Sequence, residues 1–548
     1  MIVYGDHVRR LHPRSEARRL ADALATQGAT ADLFVDAAAL VQALLDAEFA
    51  ARGEVDARSP PGDAAMAALT DLARAILGET CADPAAWRAL AAAAPAASVE
   101  ARLAEGFACY ALHPAAYARA AKAAGLGPRT RFVGLRSIGV GLAAVAAAAV
   151  GAPPPGTARP VGPPFRRRLR LDPTLAAELG AAPEAVAIVD EGPGLSGSSL
   201  LAAAEALEAA GVARGRLVLL PSHRHGPGAQ APEAARRLWR ETPRSVVEPD
   251  WASELPADFA DLLGAPVAPA EDLSGGAWRG AVYADPAAWP AADTFKERRK
   301  FRLHTARGAF LLKWAGLGAD AREKAERARA LTEAGLSPPV LAVRDGWLAQ
   351  PWIEGRPLSP ADRPPLAELT AALALRSRAF PADPAGGADA AALTEMARVN
   401  VAEALGPQAG AAAEARVARG LAGASPPRVW IDGRLHPHEW LRTTDGRTLK
   451  TDALDHARAH DLVGAQEIGW DVAGAAVEWD LTDGDARRLA EAAGAPPERL
   501  PALRTTYLAF QLGAAHMAWE AHGHAPDEQR RLAAARDRYA ERLGREPA

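Results

Sequence analysis

Through most of the first 125 residues, apolar positions recur at three-to-four spacing, as over 37–51 and 64–77. That period predicts helices. Ser59-Pro60-Pro61-Gly62 interrupts the pattern. The period then changes. Arg131-Phe132-Val133-Gly134-Leu135 reads as a strand, and an apolar helix follows over 140–150. Val186-Ala187-Ile188-Val189 is an unbroken apolar run of the kind that a buried parallel strand carries. A Gly/Ser loop, a helix over 199–210 and a strand over 216–220 come next. Strand, loop and helix in repetition predict a parallel sheet with crossover helices.

Residues 225–290 are rich in Pro, Gly and Trp and read as a linker with an irregular hood. From about 293 the order is different. Strands over 299–303, 309–314 and 347–351 surround a helix over 321–334. A helical stretch over 360–424, a hairpin at Asp445-Gly446 and further helices follow. This order predicts a small sheet lobe and then a helical lobe. No internal repeat of 20–50 residues is present. The expected division is a helical hood or extension over 1–125, a parallel-sheet core over 126–230, a linker and hood over 231–292, a sheet lobe over 293–358 and a helical lobe over 359–548.

Composition changes this picture only by exclusion. The chain has 548 residues, enough for several domains, and a net charge of −4. That charge argues against a globally basic nucleic-acid binder. Cys81 and Cys109 cannot make a disulfide framework or a four-cysteine zinc site. The polar start does not read as a signal peptide, and the apolar run over 138–152 is too short to span a bilayer. The expectation is a soluble cytoplasmic protein of bacterial type, with small-molecule substrates and no membrane or nucleic-acid partner.

The candidate chemistry begins where the apolar run ends. Asp190 and Glu191 stand at the carboxyl end of the expected strand, and Gly192-Pro193-Gly194-Leu195-Ser196-Gly197-Ser198 opens the next helix. Open α/β sheets place ligands there, and a helix start lined by small residues offers bare amides and a positive dipole end to a phosphate. Upstream, Arg136-Ser137-Ile138-Gly139 forms a loop after the first strand. Between them lies the basic, Pro/Gly-rich stretch 159–170, with Arg166, Arg167, Arg168 and Arg170.

These three features resemble type I phosphoribosyltransferases, over roughly 130–225. The resemblance implies that 5-phosphoribosyl 1-diphosphate (PRPP) is the substrate and that Mg²⁺ accompanies it. Asp190 and Glu191 would hold the ribose hydroxyls. Gly194, Leu195, Ser196, Gly197 and Ser198 would hold the 5′-phosphate. Arg136, Ser137 and Gly139 would face the diphosphate, and Arg166 would close over it from a mobile loop. His223 and His225 are candidate contacts for the acceptor. The departure from the family pattern is Gly192-Pro193-Gly194, which stiffens the turn, and Glu in place of a second Asp.

The second half carries a different set. Lys313 lies on an expected strand, Glu323 and Glu326 on the helix after it, and Trp352-Ile353-Glu354-Gly355 at a hinge. This order resembles small-molecule kinases of the aminoglycoside-phosphotransferase type, over about 295–480. The resemblance implies ATP as a possible ligand, Lys313 on its phosphates, Glu326 orienting Lys313, and Glu439 and Asp452 as Mg²⁺ ligands. Asp471 would tie the catalytic loop together. In Asp432-Gly433-Arg434-Leu435-His436-Pro437-His438-Glu439, Arg434 stands where the family has its catalytic Asp, and Glu439 where it has a metal-binding Asn. The same region gathers His456, His460, Asp455 and Asp461, which also admits a metal-site reading.

The fold class expected is α/β: a parallel-sheet, phosphoribosyltransferase-like domain plus a two-lobed, protein-kinase-like α+β domain. The expected function is a PRPP-dependent transferase fused to a kinase-like domain. The alternatives are a non-catalytic phosphoribosyl- or nucleotide-binding regulator, and a kinase acting on the product of the first domain. Sequence leaves the acceptor and the oligomeric state open.

Overall fold

The computed structural model describes residues 8–181, 184–228 and 230–546. It divides into two compact units. The N-terminal unit comprises 8–254 with 315–322, and the C-terminal unit comprises 255–314 with 323–546 of the described residues. The 231–292 segment is therefore divided between the units. It contains the helices Glu233–Glu241, Trp251–Asp258 and Trp278–Val282.

In the N-terminal unit the helices Pro13–Gln27, Ala31–Ala51, Pro60–Ile76 and Pro84–Ala93 come first. The Ser59-Pro60-Pro61-Gly62 break is the start of a helix. Ser59 caps it by accepting the Gly62 amide, and the prolines occupy the first turn, where no amide partner is needed. Sequence periodicity missed one feature here: Val8–Leu11 pairs antiparallel with Val99–Arg102.

The core of this unit is a parallel four-stranded sheet in the order Gly156–Ala158, Arg131–Leu135, Val186–Val189, Leu217–Leu220. Every residue of Val186–Val189 is buried, as an apolar run without alternation requires. From Arg131–Leu135 the chain leaves through the helix Gly139–Ala149 to one side of the sheet. From Val186–Val189 it leaves through Ser198–Ala209 to the other side. The two strands are neighbours, so the loops after Leu135 and Val189 part from each other at a topological switch point. That crevice is where open α/β sheets bind ligands. Gly134 makes the close packing of this end possible. A Cβ on it would lie 2.1 Å from the Gly139 carbonyl oxygen.

The C-terminal unit contains an antiparallel five-stranded sheet in the order Ala342–Arg344, Trp347–Pro351, Gly308–Trp314, Lys300–Thr305, Glu271–Asp272. Trp314 and Trp347 pack edge to face beneath it, 5.3 Å between ring centres. The helix Ala319–Glu333, from Glu323 onward, belongs to this unit. A second sheet orders Gly355–Pro357, Trp440–Thr443 and Thr448–Lys450. Helices 366–545 complete the unit around Trp470 and Tyr507. The fold is mixed α and β throughout. Among the described residues, no helix is long and apolar enough to cross a membrane.

Candidate functional sites

At the switch point of the N-terminal unit, the acid pair sits half-buried just after the core strand Val186–Val189. Asp190 accepts the Glu191 amide at 2.9 Å through Oδ1, and its own carbonyl accepts the Tyr117 hydroxyl at 2.8 Å. Glu191 Oε2 accepts the Gly106 amide at 3.1 Å. Burial pushes the Asp190 carboxyl up to about 6, against the backbone donors that hold it down. Burial also keeps the Tyr117 hydroxyl well above its ordinary value, reinforced by the charges of Glu191 and Asp190. Tyr117 is thus a neutral prop under the pair.

The turn that follows is open. Gly194 and Gly197 have φ of +56° and +60°, the left-handed region that suits glycine. Leu195 is 80 % exposed. Ser196 and Ser198 share a hydrogen bond of 2.9 Å between their hydroxyls at the start of the 12-residue helix Ser198–Ala209. The Ser198 hydroxyl also donates to the Pro164 carbonyl, which brings the basic loop onto the Gly/Ser turn. That loop is a tight excursion closed by paired backbone bonds between Val161 and Arg168. Arg166 is exposed on it, and Ser137 is half-buried at the end of the first core strand.

Two of the residues singled out from sequence have packing roles instead. Arg136 does not face the crevice. Its side chain is only 3 % exposed, donates to Asp46 at 2.9 Å and to Thr157 at 3.0 Å, and also pairs with Asp56. Arg159 shares the same acids: its amide donates to Asp56 at 2.8 Å and its guanidinium reaches Asp46. Three of the five guanidinium N–H groups of Arg136 are engaged, and burial against Asp46 and Asp56 turns the side chain away from the crevice. Gly139 is likewise a packing glycine, its Cα against the Val189 carbonyl, where an added Cβ would come within 2.8 Å.

In the C-terminal unit, Lys313 Nζ lies 2.6 Å from Asp452 Oδ1 and 2.7 Å from Asp455 Oδ2. Burial alone would lower the Lys313 ammonium. The two carboxylates hold it above its ordinary value, so it stays charged. Glu326 does not orient it. Glu326 is exposed on the outer face of its helix, and Lys324, two residues earlier on the buried face, points to Asp455 at 3.1 Å. Successive helix positions turn by about 100°, so positions two apart fall on nearly opposite faces.

Glu439 is buried and pairs with Lys450 Nζ at 2.7 Å. Lys450 also lies 3.3 Å from Asp432 and donates to the Asp452 carbonyl. The two expected Mg²⁺ ligands, Glu439 and Asp452, are thus each matched by a lysine ammonium. The donor set present does not fit a divalent ion, whose oxygen ligands must converge on it without a competing cation between them. The Asp471 carboxylate accepts the Asp432 and Gly433 amides at 2.7 and 2.9 Å, the tie that the sequence suggested. Burial, and then the charge of Asp432, push its carboxyl up to about 6. Asp471→Asn is expected to cost roughly 1–3 kcal/mol, because the amide turns an N–H toward one of the two donors it must satisfy. Thermal unfolding of the purified variant checks this.

His436 and His438 stand beside Glu439, with ligand atoms of all three within 4.8 Å of one another. Burial, and then Arg434, lower His438 to about 3, so it is neutral at physiological pH. Sequence reasoning gave no role to Lys324, Lys450, Asp46, Asp56, Gly106 or Tyr117. Only the lysines carried a signal: the chain has six, and Lys300, Lys313, Lys324 and Lys450 all belong to this unit.

No protein-family model matches the chain, and no curated protein sequence matches it. Solved structures do. The choline/ethanolamine kinase family protein from Mesorhizobium loti is 17 % identical, covering 54 % of this chain and 95 % of its own, with a TM-score of 0.36. Spectinomycin phosphotransferase APH(9)-Ia, solved with ADP and spectinomycin, is 12 % identical over 54 % of this chain and 95 % of its own, at 0.36. The choline kinase LicA from Streptococcus pneumoniae is 13 % identical over 44 % and 89 %, at 0.31. Similarity of this size leaves the reading of both sites to the chain's own geometry.

Proposed function

We propose that the N-terminal unit binds PRPP at its switch point and transfers the phosphoribosyl group to a nitrogenous acceptor. The observation that carries this reading is the convergence of the acid pair, the Gly/Ser turn at a helix start, and the basic loop held by Ser198 at Pro164. Asp190 and Glu191 accept the ribose hydroxyls. The amides of Gly194, Leu195 and Ser196 take the 5′-phosphate at the positive end of the helix, while the two serine hydroxyls brace the turn and the basic loop. Arg166 and its neighbours face the diphosphate, whose charge a Mg²⁺ ion accompanying the substrate would also offset. The C1–oxygen bond breaks as diphosphate leaves. The acceptor nitrogen then bonds to C1 and its proton passes to solvent. No protein nucleophile is required, so the chain's work is to orient the ribose, stabilise the departing charge and exclude water.

The elevated Asp190 value sets a pH dependence. A carboxyl raised in the folded state gives stability that is full below its ordinary value of 3.8 and lost as pH rises through about 6. Accepting a ribose hydroxyl needs the ionised form, so PRPP affinity is expected to move the opposite way and rise through pH 6. Diphosphate release from PRPP, followed against a panel of nitrogenous bases from pH 5 to 8, tests the activity. Acceptor-dependent release that grows through pH 6 is the expected result. Binding of PRPP without release by any acceptor would make the unit a sensor.

A second reading concerns the C-terminal unit: a kinase-like nucleotide-binding module that does not transfer phosphate. Arg434 favours it. An arginine cannot orient or deprotonate an acceptor hydroxyl, which is the task of the aspartate expected there.

A further inference from the structure

We propose that the C-terminal unit uses resident lysine ammonium groups in place of divalent metal and takes the polyphosphate of a nucleotide as the bare anion. This rests on the nucleotide-binding reading above and goes beyond it.

The lysine that matters most is Lys450. Its side chain is 3 % exposed. It sits on the strand Thr448–Lys450, in register with Trp440, and its ammonium lies 6.0 Å from the centre of the Trp440 ring. A side chain so enclosed is part of the core, and its position between Glu439 and Asp432 is fixed by the strand that carries it. Lys313 lies between Asp452 and Asp455 in the same way, and Lys324 covers the other oxygen of Asp455. The carboxylates that a kinase would turn toward Mg²⁺ are already neutralised by groups of the chain itself.

The balance of charge then points to an anion. Lys313, Lys324, Lys450, Arg434, Arg298 and Arg376 outnumber Asp432, Glu439, Asp452, Asp455 and Asp471 by one, and Lys300 is matched by Glu297 at 3.6 Å. Four of the six lysines of the chain are spent here. Arg434 retains 43 % side-chain exposure while leaning toward Glu439 at 3.7 Å, so it presents donors to a ligand. A planar guanidinium suits phosphate oxygens. A metal-free polyphosphate brings the negative charge this surplus lacks, whereas a magnesium complex would bring a dication against buried ammonium groups.

The test uses the full chain. ADP is titrated calorimetrically in EDTA and in Mg²⁺, and Mn²⁺ is titrated by electron paramagnetic resonance without nucleotide. The expected result is ADP affinity in EDTA within twofold of that in Mg²⁺, or tighter. In the Mn²⁺ titration, Glu439→Gln is expected to leave wild-type occupancy unchanged, and Lys450→Met to gain one bound ion that the added Glu439→Gln removes. A tenfold loss of ADP affinity in EDTA overturns the proposal. So does a wild-type Mn²⁺ site that Glu439→Gln alone abolishes, a comparison that does not depend on Lys450→Met folding. Absence of ADP binding in both media overturns the nucleotide reading, and the Mn²⁺ titration then judges the lysine substitution by itself.

Discussion

The Asp190→Asn/Glu191→Gln variant is expected to bind PRPP at least about 100-fold more weakly than wild type while keeping its fold. Each carboxylate accepting a ribose hydroxyl makes a charge-assisted bond worth about 1.5–3 kcal/mol. An amide oxygen keeps part of that, and a net loss near 3 kcal/mol over two sites is a factor of about 100. The fold survives because both internal bonds can be kept. The Asn oxygen can accept the Glu191 amide, and the Gln oxygen the Gly106 amide. Neutralising Asp190 also removes a buried charge that its surroundings disfavour. Isothermal titration of both proteins, with circular dichroism as the folding control, measures the difference. Equal affinities would remove the acid pair from the site.

Arg136→Met is expected to destabilise the N-terminal unit by about 3–5 kcal/mol, the usual result of removing one partner from a buried ion network. Among the described residues, Asp46 would be left with the Arg159 guanidinium and the neutral donor of Gln42, and Asp56 with the Arg159 backbone amide. Burial already pushes the Asp56 carboxyl up in spite of Arg136, so the loss of that guanidinium leaves a poorly compensated anion. Methionine fills part of the volume without supplying a donor. Urea denaturation, with hydrogen exchange of the amides over 131–135 as the local reporter, reads the effect. Wild-type stability with weakened PRPP binding would instead return Arg136 to the diphosphate.

The contrast between these two variants reflects what a single sequence can carry. The Val186–Val189 strand was legible because four apolar residues bounded by acids and glycine fit little else. The hairpin at Asp445-Gly446 was legible through its turn residues, and Asp471 through its place after a Gly-Trp pair. Arg136 was legible as a loop residue but not as a buried one. Its acids lie 90 and 80 positions earlier in the chain, on a helix and a loop whose packing no local pattern encodes. Glu326 failed on helix phase. The resemblance called for a glutamate, but the face turned inward carries Lys324. The resemblance pairs Glu439 and Asp452 as Mg²⁺ ligands, whereas the structure seats a lysine ammonium against each. That lysines fill the space beside them follows from side-chain direction on Thr448–Lys450 and Gly308–Trp314, a tertiary fact.

Hydrogen exchange measured by mass spectrometry, on the full chain with and without PRPP and Mg²⁺, tests the central claim most directly. The account predicts slowed exchange at the amides over 194–199 and 136–140, and in the loop over 161–168. Unchanged exchange over 194–199 at saturating PRPP, or protection confined to other segments, would contradict it.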